Sequence, residues 1–152
     1  MTLPPWRPSV TVAAVIERDG RFLLVEEEAN GRVVLNQPAG HLDPGESLVA
    51  ACARETLEET ALRFTPQSLV GIYRWVYAPE DVTYFRFAFA GRVDGVEEGR
   101  ALDKEILRLH WFTPDEIRAR AEQHRSPLLQ RCVDDYIAGR RFPLDVLSAD
   151  DA

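Results

Sequence analysis

Apolar and polar positions along the chain fall into two kinds of period. Residues 10–17 (VTVAAVIE) form a β-branched and small apolar run; Asp19-Gly20 breaks it and RFLLVEE resumes it. Two strands about a two-residue Asp-Gly turn predict a hairpin, because both turn positions call for positive φ. Asn30-Gly31 repeats the device, and RVVLNQPAG then reads as a short strand feeding a Gly/Pro-rich loop around Gly40, Pro44 and Gly45. From about Ser47 to Ala61 no Gly or Pro interrupts an Ala/Leu/Glu run, which predicts a helix. Apolar residues lie on more than one side of it, Val49, Ala53 and Leu57 on one and Leu48, Ala51 and Leu62 on the other, so it is expected between packed layers, its alanines allowing close approach to a sheet.

Beyond Pro66 the pattern returns to strands, SLVGIYRWVYA and VTYFRFAFAGRV. In the second, Thr83, Phe85, Phe87 and Phe89 alternate with Val82, Tyr84, Arg86, Ala88 and Ala90, so the aromatic face is expected to take the core. Residues 91–99 (GRVDGVEEG) read as an acidic, Gly-punctuated loop and ILRLHWF as a last strand. Thr113-Pro114-Asp115-Glu116 predicts a helix start with Thr113 as N-cap and Pro114 in the first turn. A final helix is expected over about 127–138, ended by Gly139.

This strand and helix order, in 152 residues with 45% apolar and 28% charged positions, suits one α/β domain with a real core. The expected division is a Pro-rich leader over 1–9, the folded domain over 10–142 and a tail over 143–152. The net charge of −7 argues against nucleic acid as a partner, since such binding runs mainly through phosphates. It leaves room for one small phosphorylated molecule, because a bound cation supplies the attraction. Cys52 and Cys132 lack metal-site spacing and are expected as buried, reduced thiols. With no apolar run of membrane-spanning length and no basic-plus-apolar leader, no membrane association is expected and the cytoplasm is the default.

The candidate chemistry lies on the helix over 47–61. Glu55 to Glu58 is an i,i+3 step and Glu55 to Glu59 an i,i+4 step, so the three carboxylates share one side. Like charges about 6 Å apart repel by roughly 3 kcal/mol at an effective dielectric near 20, before screening. They also crowd the last turns, where the helix dipole disfavours negative charge. A hard divalent cation reverses both costs, since carboxylate oxygens are the ligands Mg2+ or Mn2+ take. Arg54, four residues before Glu58, can orient a carboxylate. A purely solvated acidic face does not explain why the acids gather at the wrong end of the dipole.

Other positions carry two readings each. Arg86 is the only charge among the alternating residues 82–90 and needs an anion if it faces a cleft, with a substrate phosphate the favoured partner. Asn36 and Gln37 can read donors and acceptors on a ligand or satisfy loop backbone. Trp75 and Tyr77 can stack on a ring or fill the core. Neighbouring strand residues point to opposite faces, so Glu26, Glu27 and Glu28 are expected as a solvated edge. His41 is read as loop hydrogen bonding and His110 as structural; His124 suggests no role.

Gly40, Glu46, Arg54-Glu55 and Glu58-Glu59 stand at the spacings of the Nudix signature, G-x5-E-x7-R-E-U-x-E-E-x-G-U with U a bulky apolar residue, and the chain resembles the Nudix hydrolases on those positions and Leu62. Thr56 and Ala61 depart from it, standing for an aliphatic residue and a glycine. A left-handed helix end would strain Ala61, so a different helix end is expected.

The resemblance implies an α/β/α sandwich with a mixed sheet and hydrolysis of a diphosphate linked to another moiety. It implies Glu55, Glu58 and Glu59, with the Gly40 carbonyl, as ligands for Mg2+, with Mn2+ as an alternative. Glu46 would then support the loop and Arg54 would orient a glutamate. The general base would be Glu55 or an acid on a loop, here Glu105, with Glu97, Glu98 and Asp103 behind it. The runs YFRFAFA, HRSPLL and GRRFPLDVL are further similar to the bacterial phosphatase NudJ subgroup. That subgroup implies a monomer that releases orthophosphate from nucleoside di- and triphosphates or from hydroxymethylpyrimidine diphosphate, a thiamin precursor. The subgroup often has Trp where Leu35 stands, which touches ring preference if that position lines the pocket. A pyrophosphatase acting on ADP-ribose, a dinucleotide or an oxidised nucleotide is the alternative enzyme. A non-catalytic ligand sensor of the same fold is the alternative of another class.

Overall fold

The structure, a computed structural model, describes residues 1–148; the last four residues of the tail expected over 143–152 lie outside the described residues. Strand β1 (Ser9–Val15) ends one residue before a break, and Glu17–Arg18 (β2) turns back through Asp19-Gly20 into β3 (Arg21–Ala29). Asp19 and Gly20 take φ of 52° and 78°, as the hairpin reading requires. Asn30 and Gly31, at 51° and 74°, make the same turn into β4 (Arg32–Asn36). Then follow β5 (Ala39–His41), α1 (Leu48–Thr60), β6 (Leu62–Tyr77), β7 (Val82–Val96), β8 (Ile106–Phe112), α2 (Pro114–Ala119), α3 (Leu128–Ile137) and β9 (Phe142–Pro143).

These strands form a mixed five-stranded sheet in the order β5-β1-β7-β6-β9, in which β1 and β7 are parallel and the other pairs antiparallel. A second sheet runs β2-β3-β4, with β8 pairing along β3. The β6–β7 ribbon extends from Leu62 opposite Val96 to Tyr77 opposite Val82. Residues expected as a loop over 91–99 are therefore strand as far as Val96, because the antiparallel partner supplies the ladder that local Gly content argues against. At the far end, Phe142 and Pro143 pair with Leu69 and Ser68 of β6, and Leu144 and Leu147 pack on the core.

Both faces of the mixed sheet are covered. Val12 and Ala14 of β1 join Leu69, Phe89, Ala51 and Cys52 on the α1 side, while Ala13 and Val15 join Ala88, Ala90, Leu129 and Val133 on the α3 side. The aromatic face of β7 takes the core as expected, through Phe87 and Phe89, and its small residues are buried as well, facing α3, which needs close approach rather than bulk. Full burial of a side chain the size of Leu129 or Phe89 is worth about 1.5–3 kcal/mol. Cys52 and Cys132, unpaired and buried, fill this core as expected.

The helix caps follow local chemistry. Ser47 accepts from the Ala50 N–H at the start of α1, and Thr113 with Glu116 forms a reciprocal capping box on α2. Thr56, where the signature has an aliphatic residue, is fully buried, and its hydroxyl donates to the Cys52 carbonyl at 2.8 Å. Burial therefore leaves no unsatisfied polar atom.

Ala61 takes the left-handed conformation, φ 62° and ψ 9°, and its N–H closes the helix on the Leu57 carbonyl. The expected shift of the helix end does not occur, because the helix cap and the Glu97 N–H bond to the Ala61 carbonyl, 2.8 Å long, hold the residue in place. Strain of about 1 kcal/mol is stored here. Ala61→Gly is expected to raise Tm by roughly 2–4 °C; an unchanged or lower melting temperature would show that the buried methyl contributes as much as the strain costs.

Candidate active site

The loop before α1 and the helix itself are joined by one guanidinium. Arg54 donates through Nε and Nη2 to both oxygens of Glu46, at 3.0 and 2.6 Å, and through Nη1 to Glu55 at 2.9 Å and Glu58 at 3.2 Å. Its Nη2 also reaches the His41 carbonyl at 3.0 Å. Glu46 in turn accepts from the Asp43 N–H at 2.8 Å, and the Arg54 hydrogen bonds hold its carboxyl below the usual range. Glu46 and Arg54 thus clamp the loop to the helix and orient two of its carboxylates.

Gly40 lies against this cluster. A Cβ built there would overlap the Glu55 carboxylate, so glycine is required by the close approach of a side chain, with no special backbone angle involved. The neighbouring Ala39 N–H donates to Glu59 at 2.8 Å, drawing Glu59 beneath β5. Glu59 is 7% exposed. Burial, with repulsion from Glu27, Glu55 and Asp103, pushes its carboxyl up to about 9 despite the Ala39 hydrogen bond. Burial also raises Glu55, against the opposing pull of Arg54.

Oxygens of Glu55, Glu58 and Asp103 come within 4.8 Å of one another. Asp103 reaches the helix because its N–H donates to the Glu58 carbonyl at 3.0 Å, and burial followed by repulsion from Glu58 and Glu105 raises its carboxyl. The tight triangle therefore contains Asp103, ranked behind Glu105 in the sequence reading, while Glu59 sits deeper. Glu105 is exposed and lines the adjacent cleft. Arg54 pairs with Asp43, Glu46, Glu55 and Glu58, while Asp103 and Glu59 add further carboxylates, and oxygen-only donors fit a hard divalent cation.

The cleft, about 420 Å3, opens between the two sheets. Glu55, Glu59, Gly40 and His41 line it together with Trp75, Tyr77 and Tyr84, Trp75 and Tyr84 being stacked at 5.7 Å. Arg86 and Asn36 also line it. Gln37 is 1% exposed and does not; its Nε2 donates to the Leu129 carbonyl at 2.8 Å and its Oε1 accepts from Arg86 at 2.8 Å. Gln37 is therefore placed to hold Arg86 in position rather than to touch a ligand. Leu35, 2% exposed, packs in the core beside Phe22 and Leu24, so the absence of Trp there leaves the cleft wall unaltered.

Glu27 corrects the expectation of a solvated edge. It is 5% exposed, lines the cleft, and pairs with Arg125 at 2.6 Å. Its place in the strand alternation, two residues after buried Val25, was the available signal; Arg125, on the segment before α3, carried none. Glu26 instead pairs with His110 and Arg108, and His124 bonds the Ile117 carbonyl. Those two histidines are thereby engaged in the framework.

A profile for the NUDIX domain matches residues 5–132. Phosphatase NudJ of Escherichia coli is 39% identical over 142 residues, 93% of this chain and 92% of that protein, and Phosphatase NudJ of Shigella boydii matches equally. A solved NUDIX hydrolase from Nitrosomonas europaea superposes with a TM-score of 0.93 at 53% identity, covering 96% of this chain and 99% of its own. A MutT NUDIX hydrolase from Burkholderia pseudomallei shares the fold, with a TM-score of 0.73 at 22% identity over 86% of this chain and 98% of its own.

Proposed function

Because the chain belongs to the Nudix family and is a pyrophosphohydrolase, we propose that it is a divalent-metal-dependent phosphatase of the NudJ kind. In this reading it releases orthophosphate from nucleoside di- or triphosphates or hydroxymethylpyrimidine diphosphate. The observation that carries the reading is the Glu55–Glu58–Asp103 triangle, whose Glu55 lines a cleft also walled by Trp75, Tyr77 and Tyr84. A diphosphate placed at the acids leaves its organic moiety toward Trp75 and Tyr84.

Glu55, Glu58 and Asp103, with Glu59 behind them, would hold Mg2+ or Mn2+, which supplies neutralisation of the diphosphate and acidification of water. Arg54 keeps Glu55 and Glu58 in fixed rotamers, so the acids need no rearrangement as substrate arrives. We assign proton acceptance to Glu55, which is half-buried with a raised carboxyl, in preference to exposed Glu105. Water oxygen bonds to the terminal phosphorus, its proton passes to Glu55, and the anhydride P–O bond breaks toward the remaining phosphate.

Product analysis with purified protein tests this directly. Orthophosphate should accumulate with Mg2+ and stop with EDTA; pyrophosphate as the leaving product, or EDTA-resistant turnover, would overturn it. The metal's effect on stability has a definite sign as well. Glu59 is raised from 4.5 to about 9, so the metal-free folded state binds more protons than the unfolded state in that window, and stability falls as pH rises through it. Mg2+ is therefore expected to raise Tm more at pH 8 than at pH 6.

A further inference from the structure

Glu27 and Arg125 form an ion pair 2.6 Å long across 98 positions of sequence, and both line the cleft. Glu27 is 5% exposed, and a carboxylate so deep needs a cation beside it. Arg125 is the open partner, with its side chain 47% exposed. Among the described residues only its Nη1 has a hydrogen-bond partner, so the pair leaves guanidinium donors over for a second anion.

The fold fixes where that guanidinium sits. His124 bridges Leu35 of β4, and the Arg125 N–H donates to the Leu35 carbonyl at 2.8 Å. On either side the segment is tied down, His124 to the Ile117 carbonyl and the Ser126 hydroxyl to the Leu128 N–H. Glu27 stands on β3, opposite Val34 and on the other side of β4. The Arg125 side chain therefore crosses β4 to make the pair, over the face on which Val34 and Asn36 line the cleft. Held at both ends, it has little rotamer freedom left to lose when a ligand arrives.

The other arginines of the cleft are differently committed. Arg86 is 5% exposed, with Nη1 on Gln37 Oε1 at 2.8 Å, Nη2 on Asn36 Oδ1 at 3.0 Å and Nε buried without a partner. Arg32 stands opposite Ala29 at the Asn30-Gly31 turn, and its Nη2 reaches the Glu122 carbonyl at 3.4 Å. Glu27, in contrast, is among the carboxylates that repel Glu59, which puts its pair on the side of the cleft where the acids lie.

A diphosphate brings more negative charge than one divalent cation removes, and the carboxylates holding that cation already offset part of its charge. The phosphate not under attack therefore needs a cation from the protein. We propose that Arg125, positioned in the cleft by Glu27, binds the phosphate that stays with the organic part of the substrate, an assignment that rests on the function proposed above.

Steady-state kinetics with Mg2+ test this. ADP, GDP, CDP, UDP and hydroxymethylpyrimidine diphosphate identify the substrate turned over best. That compound is then compared with its methylphosphonate analogue, in which a methyl replaces one nonbridging oxygen of the phosphate nearer the organic moiety and removes its charge. Wild-type kcat/KM should fall by roughly ten-fold or more on the replacement, the scale of one hydrogen bond to a charged group. Arg125→Gln should raise KM for the normal diphosphate roughly ten-fold with kcat changed less than about three-fold, and should shrink the diphosphate-to-analogue ratio by roughly ten-fold. Glu27→Gln, which loosens the anchor and keeps the arginine, should raise KM only a few-fold and retain the ratio. A wild-type ratio near one, or a ratio that Arg125→Gln leaves unchanged, would overturn the assignment of Arg125; a ratio lost in Glu27→Gln would overturn the positioning role of Glu27. Should Arg125→Gln not fold for want of a partner to Glu27, the double variant Glu27→Gln/Arg125→Gln, which removes both charges, carries the same comparison. Turnover with an unchanged ratio sinks the Arg125 reading alone; no turnover of any diphosphate sinks the proposed function with it.

Discussion

Glu58→Gln is expected to lower kcat on the order of 10^2–10^3-fold, the loss typical of removing one charge-stabilising group from a preorganised site. Gln preserves the length and shape of Glu58, whose side chain is 31% exposed, so packing is undisturbed. What disappears is one negative charge from the triangle with Glu55 and Asp103. In the absence of metal that charge is repelled by its neighbours, so the variant should melt at or slightly above the wild-type temperature. With Mg2+ the order should invert, because the variant holds the cation less well. Kinetics and thermal melts with and without Mg2+ on the same preparation check both halves. A wild-type rate in the variant would remove Glu58 from the chemistry.

Gly40→Ala should damage both activity and stability. The added methyl falls on the Glu55 carboxylate, and Glu55 is tethered to Arg54, which is tethered to Glu46. Relief must come from moving β5 or breaking that clamp, and overpacking of this kind costs about 1–3 kcal/mol. Activity should fall about 100-fold, since displacement near 1 Å is enough to do so in a positioned site. A double-mutant cycle isolates the cause. In a Glu55→Ala background the same Gly40→Ala change should cost little stability, because the group it strikes is gone. Equal stability losses in the two backgrounds would show that the methyl strikes something other than Glu55.

Where local chemistry is strong, the chain could be read directly. Asp19-Gly20, Asn30-Gly31, Ser47, Thr113-Pro114 and Gly139 each satisfy a requirement that neighbours in sequence impose, and each lies where the reading puts it. The acidic side of α1 was legible for the same reason: helical spacing alone gathers Glu55, Glu58 and Glu59. Asp103 and Glu27 were harder. Asp103 joins the triangle through a backbone bond to Glu58 across 45 positions of sequence, and Glu27 is drawn inside by Arg125, 98 positions away. Gln37 shows the converse, since the sequence left it between ligand and backbone partners and the structure commits it to Arg86 and the Leu129 carbonyl.

By itself, then, the order of residues determined the turns, the N-caps at Ser47 and Thr113, the two covered periodicities and the six signature positions. These depend on φ/ψ preference, side-chain period and short-range hydrogen bonding, all of which act within about one turn of chain. Only the tertiary structure decided which carboxylates share a cation-sized space, which amides face a cleft and which side of Arg86 is left without a partner. Those outcomes depend on burial and on pairing between distant strands, which change the energetic consequence of a charge from negligible in water to several kcal/mol in the interior.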